Sequence, residues 1–241
     1  MPINFNPNNP ESESVKFKPY ISFHDRLKAP FNYKLTRVQK QAVLASIVGD
    51  GYLSKPNKDP NYARLVWNMG DKNHAMYKHD FFKDIGVKYT EKENSGWGSI
   101  HHTVVTSCHP CFSEIYEKFY KDGKKIPELI PSIFESLDAV GWAWFYGDDG
   151  HLSGNDNCYL HTEGYGKQIS QSCADAVNKF TGINGAKVFS YVGGTPKKQR
   201  FCVSINTECS DEFISRIKKY MAHGMEYKIG KDNINRRNKR K

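Results

Sequence analysis

At 241 residues the chain is long enough to bury a core as one domain or two small ones. No apolar run reaches the eighteen or so residues of a membrane-spanning helix. The opening MPINFNPNNPESESVKFKPY has no apolar h-region and carries two glutamates, so it reads as a loose arm rather than a secretory signal or transit peptide. The expected location is therefore intracellular: the cytoplasm of a prokaryotic or phage setting, or the interior of an organelle that makes the protein. Net charge is +9, but the last fifteen residues, YKIGKDNINRRNKRK, hold seven basic residues against one acid. That segment supplies +6, which leaves +3 for the rest. A nucleic-acid reading must rest on more than charge. The six cysteines (108, 111, 158, 173, 202 and 209) are scattered without export context, which predicts free thiols in a reducing compartment.

In chain order, LTRVQKQAVLASIVG (35–49) has helical spacing of apolar and small residues, with Thr36 as N-cap. After Asp50-Gly51 a turn-rich stretch leads into a strand at Ala63 to Met69. A helix is predicted over 72–86, closed by Gly86, then a hairpin of VKYTEKE and SIHHTVVTS around SGWG. Pro110 to Gly123 reads as a helix with Pro in its first turn and Gly after its end. The second half repeats the order: a helix over 135–147, a strand at NCYLHT, and a helix ending at Gly182. Two strands, AKVFSYV and QRFCVSIN, then flank GGTPKK, and a helix runs over 209–224. The repeat is one of pattern, with a period near 100 residues and slight residue identity.

Both first helices of the repeat carry small residues three or four apart: Ala42, Ala45 and Gly49, then Ala139, Ala143 and Gly147. Such a stripe lets another backbone approach closely. Packed together, the two helices would bring Asp50 and Asp149 near each other at their C-terminal ends. Carboxylates there are disfavoured by the helix dipole, by up to about 1 kcal/mol, and they repel one another. A divalent metal relieves both effects, and Mg²⁺ commonly takes one or two protein carboxylates and fills its shell with water and phosphate oxygens.

LASIVGDGY and WAWFYGDDG resemble the two copies of the signature of the LAGLIDADG homing endonucleases, the second like the aromatic-rich variant of single-chain, intron-encoded members. The resemblance covers roughly residues 31 to 230. It implies an α+β fold of two pseudo-symmetric αββαββα halves packed through the motif helices, with antiparallel sheets forming a DNA-binding saddle. The implied divisions are an arm at 1–30, a first half at 31–133, a second half at 134–229 and a basic tail at 230–241. It also implies that Asp50 and Asp149 bind Mg²⁺, for which Mn²⁺ can substitute. Asp148 looks like a neighbour rather than a ligand, and like the Gly49 carbonyl it is a minor candidate donor.

KKIPELIP and MEYKIG resemble a Lys-x-Ile-Pro and a Met-Tyr-Lys segment of single-chain relatives. By that alignment Lys124, with Lys125 as the alternative, and Lys228 lie near the cleavage centre, where an ammonium could stabilise transition-state charge or orient a water. There are departures. The segment after the second motif often reads Asn-Thr-Gln in these relatives, but here it is His161-Thr162-Glu163. An acid near DNA is unhelpful unless it binds metal or faces away. Val48 stands where the family name shows an acid, a place that is apolar in many members.

Other constellations are weaker. His101, His102, Cys108, His109 and Cys111 offer half a zinc site, but no second Cys pair follows, and adjacent histidines on a strand face opposite ways. Of the tryptophans, Trp142 and Trp144 belong to a core-forming helix, while Trp97 between glycines suits a hairpin tip. Arg64, Lys88, Lys92, Lys187, Lys197, Lys198 and Arg200 in the predicted sheets suit phosphate or guanine contacts. The expected function is a monomeric, metal-dependent, site-specific double-strand DNA endonuclease acting on a long asymmetric target, with short 3′ overhangs implied by the resemblance. The alternatives are an RNA maturase that binds its intron, and a non-cleaving DNA-binding regulator. No membrane partner is expected.

Overall fold

The structure is a computed structural model that describes residues 29–30, 32–56, 61–93, 100–154 and 156–230. Trp97, the SGWG turn, most of the N-terminal arm and the basic tail beyond residue 230 lie outside the described residues. The chain divides into two units, one of Met1–Gln39 and Gly51–Lys125, the other of Lys40–Asp50 and Ile126–Lys241.

The first motif helix, α1 (Arg37–Val48), starts at a Thr-x-x-Gln capping box. The Gln39 amide donates to Thr36 Oγ1 at 3.2 Å, and the Thr36 amide donates back to Gln39 Oε1 at 3.0 Å. The elements that follow in the first unit are β1 (Gly51–Ser54), β2 (Arg64–Met69), α2 (Lys72–Phe81), β3 (Val87–Glu93), β4 (Ile100–Thr106) and α3 (Pro110–Phe119). The antiparallel sheet has the order β1-β2-β4-β3. Leu53, Leu65, Trp67 and Val104 share its inner face by register and are buried. Phe82 and Phe112 close over them, with ring centroids 5.5 Å from Trp67 to Phe82 and 6.3 Å from Phe82 to Phe112. A small hairpin, β5 (Tyr120–Lys121) and β6 (Lys124–Lys125), turns at Asp122 and Gly123, both at positive φ.

The second unit holds α4 (Ile130–Ser136), α5 (Ala139–Asp149), β7 (Gly150–Leu152), β8 (Cys158–Leu160), α6 (Gly166–Thr181), β9 (Ala186–Gly193), β10 (Lys198–Ile205) and α7 (Thr207–Ile217). Its sheet order, β7-β8-β10-β9, repeats that of the first unit. The second motif helix, α5, is an aromatic core element. Trp142 and Tyr146 stack edge-on against Phe213 of α7 at 5.9 and 5.6 Å, and Phe134 of α4 lies 6.1 Å from Trp142.

Several element bounds differ from the sequence expectation, each for a local reason. The helix expected from Glu135 starts instead at Ala139: Glu135 and Ser136 end the separate helix α4, Leu137 is extended, and Asp138 caps α5 by accepting from the Val140 and Gly141 amides. The helix then continues through Asp149, so both aspartates sit in its last turn. The helices expected to run to Gly86, Gly123 and Gly224 stop earlier, at Phe81, Phe119 and Ile217. Strands β1 and β7 were not anticipated, since three or four residues are too few for alternation to show.

Candidate active site and nucleic-acid interface

Residues 40–50 of the first motif belong to the same unit as α5, and the two helices touch at both ends. Near their starts, Gln41 donates through Nε2 to the Ser136 carbonyl at 2.9 Å and accepts through Oε1 from the Asp138 amide at 2.9 Å. A Cβ on Gly141 would lie 2.5 Å from that same Oε1. At the far ends the Asp50 amide donates to Asp148 Oδ2 at 3.3 Å, and a Cβ on Gly49 would lie 3.0 Å from the Asp148 Cβ. The helices thus run side by side in the same sense, and their C-terminal aspartates fall at one end. Gly49 is a close-approach residue as the small-residue spacing predicts. On α5 the corresponding glycine is Gly141, outside the Ala139, Ala143 and Gly147 stripe.

Each helix end leaves carbonyls without an intrahelical partner. On α1 the Tyr165 hydroxyl approaches two of them, 3.0 Å from the Val48 oxygen and 3.4 Å from that of Ile47. On α5 the Lys228 ammonium donates to the Gly147 oxygen at 2.6 Å and the Asp148 oxygen at 3.2 Å, while the His161 amide donates to the Asp149 oxygen at 2.8 Å. A cation here offsets both the helix dipole and the adjacent carboxylates, an effect of about 0.3–1 kcal/mol at exposed ends and up to ~2 kcal/mol where partly buried. The backbone of Lys228 is fixed in turn, since its carbonyl accepts from the buried Tyr146 hydroxyl at 2.9 Å. Tyr146 also explains the glycine after the second motif: a Cβ on Gly150 would overlap its ring.

In the first unit the ammonium that reaches the motif is that of Lys125, 3.4 Å from the carbonyl of Gly51, the residue after Asp50. Its neighbour Lys124 is exposed, because successive strand residues point to opposite faces. Asp148, expected to be a neighbour of the metal ligand, uses a carboxylate oxygen to hold the Asp50 backbone. Nothing in the sequence points to Tyr165, because a hydroxyl more than a hundred residues from the carbonyls it approaches leaves no local pattern.

The basic residues predicted for the sheets sort cleanly by register. Arg64, Lys88 and Lys92 lie on the face of the first sheet opposite its core, with Tyr52, Asn68 and Thr103. Lys187, Lys198 and Arg200 lie on the outer face of the second sheet, with Tyr159, Phe189 and Tyr191. Lys197 is in the turn between β9 and β10. Trp67 is fully buried and Trp142 and Trp144 are core, so none of the three is placed to stack on a base. The half zinc site does not assemble among the described residues. His109 caps α3 through Nδ1 and contacts the Pro30 carbonyl through Nε2, and the buried His102 pairs with the Tyr89 hydroxyl at 2.7 Å. No helix among the described residues is long and apolar enough to cross a membrane.

Paired helices of this kind, each ending in an Asp-Gly and followed by the same four-strand sheet, define a two-motif αββαββα protein. Residues 40–175 match the model of the LAGLIDADG DNA endonuclease family, and the chain belongs to that family. Its fold is similar to that of the homing endonuclease I-WcaI bound to its DNA recognition sequence, with a TM-score of 0.67 at 18% identity over 95% of this chain and 96% of that one. Among curated proteins it is 26% identical to the protein RecA of Mycolicibacterium flavescens and 27% identical to that of Mycolicibacterium chitae, over 85% of this chain in each case. The chain spans about half the length of these relatives, 49% of each.

Proposed function

We propose that the protein is a site-specific double-strand DNA endonuclease that acts as a monomer and hydrolyses one phosphodiester in each strand. The observation that carries the reading is the side-by-side packing of the two motif helices, which ends in Asp50 and Asp149. Their hard carboxylate oxygens suit Mg²⁺, with Mn²⁺ as a substitute, and an ion that keeps water and phosphate oxygens needs no larger protein cage. Such an ion supplies charge to the scissile phosphate and lowers the pKa of a bound water. Asp50 and Asp149 would hold it. Lys228, anchored on the Gly147 and Asp148 carbonyls near the end of α5, would balance charge that develops beside Asp149. Lys125, whose ammonium reaches the Gly51 carbonyl, would serve the first motif in preference to Lys124.

The outer faces of the two sheets would each take part of a long asymmetric target, with Arg64, Lys88 and Lys92 on one and Lys187, Lys198 and Arg200 on the other contacting phosphates and base edges. Short 3′ overhangs are the product expected of this family. A maturase or a silent DNA-binding regulator of the same fold has no need of either carboxylate, so the pair of acids favours cleavage. The test is selection of cut molecules from a randomised duplex library with Mg²⁺ present. Recovery of one long asymmetric consensus, lost on chelation, is expected. A library left intact, alongside tight binding to one RNA, would reverse the reading.

A further inference from the structure

His161 and Glu163, which depart from the pattern of related sequences, do not face away from the proposed DNA surface. Thr162 between them is buried, its hydroxyl 3.1 Å from the Phe201 carbonyl and 2.8 Å from Ser170 Oγ. Alternation along an extended segment then turns His161 and Glu163 outward together. Cys202 of β10 joins them. It lies one step past the Val203–Leu160 pair of β10 and β8, on the face that also carries Tyr159 and Ser204. The side chains of His161 and Glu163 retain 44% and 15% exposure, while Cys202 beneath them is buried.

We propose that His161, Glu163 and Cys202 form a second metal site, for a borderline-soft divalent cation such as Zn²⁺, built from donors other than the motif aspartates although the His161 amide donates to the Asp149 carbonyl. One donor atom from each residue falls in a cluster with no separation above 4.8 Å. His161 Nδ1 is 2.9 Å from Glu163 Oε1. Donors bound at 2.0–2.3 Å in a tetrahedron lie about 3.3–3.6 Å apart, so small side-chain rotations open the pair to accept an ion. Imidazole with thiolate selects Zn²⁺ over Mg²⁺. The supporting groups that metal ligands usually have are also present. The other imidazole nitrogen, Nε2, is 2.9 Å from His151 Nδ1, and the His151 ring stacks on Tyr159 at 4.9 Å. The Tyr191 hydroxyl donates to Glu163 Oε1 at 3.0 Å. These contacts fix the ring and the carboxylate from behind. The fourth position is left to water on the outer face.

Binding the ion requires the Cys202 thiol to lose its proton to solvent. Thiolate, carboxylate and divalent cation then sum to zero charge on the sheet face that also carries Lys187, Lys198 and Arg200, so the Glu163 charge is offset once the ion is bound.

Titration of the full-length protein with Co²⁺, without DNA, tests the site directly. One equivalent should give a thiolate-to-cobalt charge-transfer band with tetrahedral visible bands, bleached by Zn²⁺ and unaffected by excess Mg²⁺. Cys202→Ser should abolish the charge-transfer band, and His161→Asn should weaken Zn²⁺ binding at least tenfold. His151→Phe, which acts through His161, should weaken it by about 10-fold or more while leaving the charge-transfer band in place. His161→Asn alters a partly exposed side chain, so it carries the test even if Cys202→Ser misfolds. Absence of the band in the wild-type chain, or its persistence in Cys202→Ser, would overturn the proposal. Because the readout needs neither DNA nor cleavage, either result leaves the nuclease reading to its own test.

Discussion

Asp148 and Asp149 follow one another in the last turn of α5 and make different contacts. Asp148 accepts the Asp50 amide and lies against Gly49, and that contact ties the two motif backbones together. Asp149 is the carboxylate proposed to hold metal. Asp148→Asn keeps an oxygen acceptor and should lower the cleavage rate by no more than about tenfold, equivalent to roughly 1.4 kcal/mol. Lys228→Met removes the ammonium from the Gly147 and Asp148 carbonyls. It should lower the cleavage rate by about 10²–10³ with target affinity little changed, as expected for a lost transition-state donor; gel-resolved single-turnover rates would check both variants. Gly150→Ala places a methyl group in the Tyr146 ring. Overpacking of this kind costs about 1–3 kcal/mol, to be read from the shift of a denaturant midpoint. The motif signature makes Asp50 and Asp149 candidates in the sequence. Which of Lys124 and Lys125 reaches the Gly51 carbonyl is not legible there, because it depends on which face of a two-residue strand points inward.

Among the elements, the helix and hairpin order was readable because the 3.6-residue period persists over the sixteen residues of α6 and the 2-residue period over the eight of β9 and of β10. Strands β1 and β7, of four and three residues, are too short for alternation to stand out, and they exist because β2 and β8 supply their partners. The extra helix α4 was hidden because its apolar residues continue the spacing of α5, and only the extended Leu137 and the Asp138 cap divide them. The outer faces of the sheets could be predicted as basic but not paired residue by residue without the register. Replacement of Lys187 by Ala, or of Lys88 by Ala, should weaken binding across all target sequences and reduce the slope of log affinity against log salt by about 0.9 for each phosphate contact removed. Arg200→Ala should in addition relax preference at one or two base pairs if its guanidinium reads a guanine edge. Fluorescence anisotropy over a salt series, on the target and on single-base variants, separates the two behaviours.

For the molecule as a whole, the doubled order of elements and the two matching sheet orders confirm the two-motif fold that the sequence repeat implied. The cluster of His161, Glu163 and Cys202 was beyond sequence reasoning, since its third member sits on a strand thirty-nine residues on and joins the others only through the β8–β10 pairing. The central claim is that one carboxylate from each motif serves the chemistry, and strand-resolved cleavage of the selected target by Asp50→Asn and Asp149→Asn tests it most directly. Each substitution should abolish double-strand cleavage in Mg²⁺ while target binding persists. Unchanged cutting by either variant would contradict it.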